Sequence, residues 1–247
     1  MWQAAFWGFV GGGALLIGAV IGVFVRVPVR VVGLVMGFGV GVLISAVAFE
    51  LTGAAYDRAG LLPVVLGLSA GALTFYVGDR AIDRKGGENR KDPRGTDAGS
   101  GSSAAGALVL GALLDGIPES AAIGVSLLGG GSVGIAVVIA VFLSNIPESL
   151  SASAGMRREG RSVGYIMRLW TLVVLASTAS AALGYGLLGG AGETTLAFTE
   201  TFAAGAVLTM LADTMVPEAV EHAGPAVGLA CVTGFICSFI LSMAGGG

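Results

Sequence analysis

Long apolar stretches, broken at near-regular intervals by short polar or glycine/proline punctuation, dominate this chain. About 20 consecutive, mostly apolar residues suffice to cross a bilayer as a helix. Eight such spans are predicted, over 2–25, 31–55, 62–82, 103–128, 132–156, 162–189, 195–215 and 225–244. The segment 83–102, DRKGGENRKDPRGTDAGSGS, differs in kind. It is charged, rich in Gly and Ser, and contains Pro93, so it reads as a flexible, solvated loop. The expected organisation is one all-α transmembrane domain over 1–247, with three spans before the loop and five after it. The N-terminal run MWQAAFWGFVGGGALLIGAVIGVFVR carries no positive residue ahead of its apolar stretch. It therefore reads as a retained first span and not as a signal peptide.

Composition narrows the class further. Hydrophobic residues make up 55% of the chain and charged residues 12%, against about 25% charged in soluble proteins. The mean hydropathy is +0.88. A disordered chain, a nucleic-acid binder and an ordinary cytosolic enzyme are excluded, and the net charge of −3 offers no basic field for phosphates. The 43 glycines suit closely packed membrane helices. His222 is the single histidine, which excludes a zinc-protease helix and a Ser-His-Asp triad. No nucleotide-binding or cofactor motif is present, so no enzyme activity and no resident cofactor are expected. Cys231 and Cys237, six residues apart, fall on different helix faces and read as packing residues.

The basic residues set an orientation. Every Lys and Arg except Arg58 falls in or beside the first, third and fifth connections. Such loops stay in the cytoplasm. The expectation is a multi-pass cell-membrane protein with both termini outside and the 83–102 loop inside.

Three carboxylates interrupt the apolar pattern deeply: Asp115 and Glu119 in the fourth span and Glu148 in the fifth. A charge at the bilayer centre costs at least about 2.5–3.5 kcal/mol, so it points to function. Their surroundings repeat, LLDGIPES and FLSNIPES sharing Ile-Pro-Glu-Ser. Pro118 and Pro147 each free a backbone carbonyl, of Leu114 and Leu143, which is tolerated only inside protein or beside a wet cavity. Asp115 and Glu119 share one helix face, as do Ser144 and Glu148, with Asn145 beside them. The short glycine turn between these spans predicts antiparallel neighbours whose oxygen-rich faces meet near mid-membrane. Such a set suits a divalent cation. Glu50, Ser177, Asp213, Glu218 and His222 are further polar candidates along a path.

With these residues the chain resembles the ZIP family of divalent-metal transporters in its bacterial, short-loop form. That family's plan has eight spans, a long loop after the third, and Pro-Glu motifs in the fourth and fifth. The resemblance implies a ZIP-like bundle that carries a metal of the zinc, iron or manganese class as substrate. Glu119 and Glu148 match the family's metal-binding glutamates. Asn145 matches a second-site ligand, and Ser144 is the residue before it. The chain departs from the pattern where Asp115 replaces a histidine, Gly116 replaces an asparagine ligand, and Ser177 stands for a glutamate of the sixth span. The first site is then Asp115, Glu119, Ser144 and Glu148, an all-oxygen set relatively kinder to manganese or ferrous iron. The family's motion against a dimeric scaffold makes a second copy a candidate partner, beside the metal ion and the lipid bilayer. Two competing readings stay open: a divergent relative with a regulatory or structural role, and a carrier of another small solute.

The orientation is testable in a background with Cys231 and Cys237 replaced. A cysteine at Gly246 is expected to react with an impermeant thiol reagent on intact cells, and one at Ser100 to stay protected. The reverse pattern overturns the assignment.

Overall fold

Apolar residues running through every turn, with few polar interruptions, leave these segments no better state in lipid than a helix, where all backbone bonds close internally. The computed structural model describes residues 1–82, 84, 102–128 and 135–245. Of the described helical residues, the side chains of 102–110, 115, 135, 136, 244 and 245 stand outside that description. Apart from Arg84 and Ser102, the predicted loop also lies outside the described residues.

Among the described residues, eight long helices follow in order: α1 (Trp2–Phe24), α2 (Val29–Ala59), α3 (Leu61–Ile82), α4 (Ser102–Ser126), α5 (Ile135–Arg158), α6 (Val163–Leu188), α7 (Glu193–Ala223) and α8 (Ala226–Gly245). No strand occurs among the described residues. All but α4 contain a described stretch long and apolar enough to cross a bilayer. The chain is an all-α, multi-pass membrane protein.

Two helices run past the ends expected at 55 and 215, α2 to Ala59 and α7 to Ala223. Asp57-Arg58 and Pro217-Glu218 read as ends in the sequence. Instead α2 passes through a π-helical segment at Ala46–Gly53 and continues. α7 does the same at Leu211–Met215, which takes up the strain of Pro217 in the following turn. Each long helix stops at a glycine with positive φ, Gly60 at 78° and Gly224 at 66°, a conformation that costs glycine little.

The helices form two groups of four. In one, α1 packs on α5 and α6, and α4 packs on α6; in the other, α2 packs on α8 and α7, and α3 packs on α7. Between the groups, α2 meets α5 and α4 meets α7. Exchanging α1 with α6, α2 with α7, α3 with α8 and α4 with α5 reproduces the same pairings. The π-helical segments and the glycine stops Gly60 and Gly224 exchange as well, so the bundle is an internal, inverted repeat.

Glycines make the tightest pairs possible. A Cβ at Gly71 of α3 would fall on the Phe202 carbonyl of α7, and one at Gly41 of α2 on the Cys231 carbonyl of α8. Gly18 and Gly22 of α1 meet the Ile146 and Leu150 carbonyls of α5 in the same way, and Gly124 of α4 meets Ala181 of α6. The residue numbers rise together along each pair, so all four tight pairs are parallel. The principal core lies between the groups, around Val40, Leu43, Phe75, Ile123, Val141, Val207 and Met210.

Overpacking a close-packed contact costs about 1–3 kcal/mol. Gly71→Val is therefore expected to lower the thermal stability of purified protein by that order. Gly13→Ala, whose new methyl meets nothing within 4 Å, should not lower it. Equal thermal shifts for the two variants would contradict the packing.

Candidate functional site

α5 is built as no ordinary lipid-facing helix could be. Ser144, Asn145, Glu148, Ser149, Ser151 and Ser153 are all buried. Their polar atoms are directed at definite partners. The Asn145 amide Nδ2 donates to the Gly11 carbonyl of α1 at 3.1 Å. Ser151 Oγ donates to Glu218 Oε1 of α7 at 2.8 Å. Trp170 Nε1 of α6 donates to Ser153 Oγ at 2.8 Å. Near Pro147, Ser149 Oγ donates to the Asn145 carbonyl at 2.8 Å, and Ser144 Oγ donates to the Val141 carbonyl at 3.0 Å.

α4 mirrors this more sparsely. Pro118 lies inside the helix, and Glu119 is 2% exposed. On α6, Ser180 Oγ donates to the Ile117 carbonyl at 3.1 Å, beside the proline. α1 lies parallel to α5 and antiparallel to α6, which in turn lies parallel to α4. Hence α4 and α5 are antiparallel. They come together at Gly11, where a Cβ would sit 2.9 Å from Ile123 Cδ1 and 3.5 Å from Val141 Cγ1. From that contact, Glu119 lies one turn and Glu148 two turns toward the same end of the bundle. Their levels along the axis then differ by about 5 Å. Each shares a helix face with its contact residue, Ile123 or Val141. Glu148 is 5% exposed.

The other predicted residues fall as follows. The Asp115 side chain lies outside the described residues. Ser177 is buried against small residues: its Oγ would be 3.2 Å from a Cβ at Gly116, and its Cβ 3.3 Å from one at Gly12. Two of the three positions that depart from the resembled pattern, Gly116 and Ser177, thus face each other in close packing. Glu50 is half-buried within the π-helical segment of α2, and Asp213 is exposed within that of α7. Glu218 is held by Ser151. His222, expected at the rim, is buried where Gly33 of α2 meets α7. Among the described residues, no three His, Cys, Asp or Glu side chains converge into a metal-sized cluster.

One ion pair is missed by reading along the sequence. Arg58, near the end of α2, binds Glu200 of α7 through Nη1 at 2.9 Å to both oxygens, and Glu193 through Nε at 3.2 Å. Glu200 is 2% exposed. The available signal was Arg58 itself, the one Lys or Arg away from the first, third and fifth connections, together with two glutamates seven residues apart on one face of α7.

Compared with known proteins, the chain matches no family model and no curated protein sequence.

Removing one partner from a buried ion pair costs about 3–5 kcal/mol, because a charge is stranded. Arg58→Met is expected to destabilise the protein by that order. Arg58→Met combined with Glu200→Leu should recover most of the loss in thermal unfolding. A double variant as weak as the single would show that the pair is not the source of the cost.

Proposed function

We propose that the chain is a secondary transporter that admits a divalent metal cation, of the zinc, iron or manganese class, through a site between α4 and α5. We further propose that α4 is an eighth membrane span and that both termini lie outside, following the arginine distribution. One observation carries the reading. Two antiparallel helices each hold a proline followed by a buried glutamate, and their faces converge on Gly11. Carboxylates at that depth require a compensating positive charge or a proton, and a cation in transit supplies the charge.

In this reading Glu119 and Glu148 replace the hydration shell of the ion, with Asp115, Ser144 and the carbonyl oxygen of Asn145 completing an oxygen set. The Asn145 amide nitrogen is already engaged by Gly11, which leaves its oxygen to face away from α1. Glu50 would gather ions on one side, and Asp213 and Glu218 would receive them on the other. The close contact of Gly116 with Ser177 favours a single ion over two. It also favours the second reading, a divergent relative that keeps the bundle for a regulatory or structural task.

Flux into proteoliposomes with a panel of zinc, manganese, ferrous iron and magnesium separates these readings. Uptake is expected for at least one ion. Glu119→Gln and Glu148→Gln should each reduce it by at least about tenfold, with the double variant little worse, because the two act as one unit. No uptake of any ion supports the second reading. Full uptake in both single variants removes the glutamates from the mechanism.

A further inference from the structure

At one end of the bundle the chain leaves α1, turns through residues 25–28 and enters α2. Beside this linker lies the last turn of α5. Together they enclose a cavity of about 450 Å³. Its floor is apolar, formed in part by Gly22, Val32, Leu150 and Ala154. Its rim carries three guanidinium groups, Arg26 from the linker and Arg157 and Arg158 from α5. None of the described residues that line it is acidic. Arg157 is steadied by donating to the Arg161 carbonyl at 2.9 Å, which fixes the turn after α5.

Arginines from two separate elements thus gather around one opening. The planar fork of arginine matches the oxygens of a phosphate. The apolar floor decides what carries that phosphate. A small soluble anion gains nothing from valine, leucine and alanine walls, whereas a molecule with a charged head and a hydrocarbon tail uses both surfaces. The site also lies where helix ends meet the membrane surface, with Phe24 and Val25 exposed at its lip. Basic pockets of this kind between membrane helices suit anionic lipid heads.

We propose that this cavity binds the phosphate of an anionic phospholipid, with Arg26, Arg157 and Arg158 as the head-group ligands and the floor receiving the start of an acyl chain. The linker joins the two four-helix groups, and α5 belongs to the group that contains α1. A lipid held here ties the joint between the groups to the helix bearing Glu148. This binding is independent of what the protein transports.

The test uses the full chain in detergent with an equimolar mixture of phosphatidylglycerol and phosphatidylcholine, retained lipid being counted by native mass spectrometry. Wild-type protein is expected to retain phosphatidylglycerol preferentially. Each of Arg26→Gln, Arg157→Gln and Arg158→Gln should reduce that preference about fivefold, and the three together on the order of a hundredfold. Arg80→Gln, at the end of α3 and outside the cavity, should leave it unchanged. Ala154→Phe keeps every charge but fills the floor, and is expected to abolish retention while the protein stays folded by thermal unfolding. Wild-type retention in the triple variant overturns the site. Retention unchanged by Ala154→Phe, or full displacement by millimolar glycerol phosphate, overturns the lipid assignment in favour of a surface charge effect or a soluble phosphate ester.

Discussion

A helix that carries a proline, an asparagine, a glutamate and a series of serines cannot face hydrocarbon. α5 must be enclosed, and that requirement organises the molecule. No lipid can accept its polar atoms, so neighbouring helices do. Each of three hydrogen bonds addresses a different one: Asn145 reaches α1, Ser153 receives from α6, and Ser151 reaches α7. Enclosure also demands close approach, which explains why the face of α1 turned to α5 is written in glycine. Gly18 and Gly22 bring backbone against the Ile146 and Leu150 carbonyls on either side of Pro147-Glu148-Ser149.

Much of this was legible because membrane crossing is a local property. The eight helices follow from runs of apolar residues, and the buried Glu119 and Glu148 follow from carboxylates inside them. Where the reading fell short, a distant partner decided the outcome. The ends of α2 and α7 were placed at 55 and 215, short of Ala59 and Ala223, since the polar Asp57 and Arg58 and then Pro217-Glu218 resemble boundaries. His222 was expected at the rim, near the end of α7, and it is buried there because Gly33 leaves room for it. Ser177 was expected along a path, and its close approach to Gly116 depends on a helix far away in sequence. Glu200 went unnoticed because only its partner, Arg58, explains a charge there.

The inverted repeat was hidden for a related reason. Ile-Pro-Glu-Ser is the longest run in which the halves agree in residues. Elsewhere the identities are scattered, as where Phe38, Gly41 and Ala59-Gly60 of α2 and its stop answer Phe202, Gly205 and Ala223-Gly224 of α7 and its stop. What the halves share throughout is spacing, the sites of π-helical widening and the glycine stops. Geometry of this kind survives replacement of almost any apolar residue by another.

The parallel pairing of the tight helices has a consequence for how the protein is made. α2 rests on α8 and α3 on α7, partners that leave the ribosome six and four helices later. Until then these two helices lie in the bilayer with their glycine faces against lipid or other helices. Assembly of this group therefore waits on its later members. A chain that stops before α8 is not a slightly shortened protein; it is one whose second helix has never met its permanent neighbour.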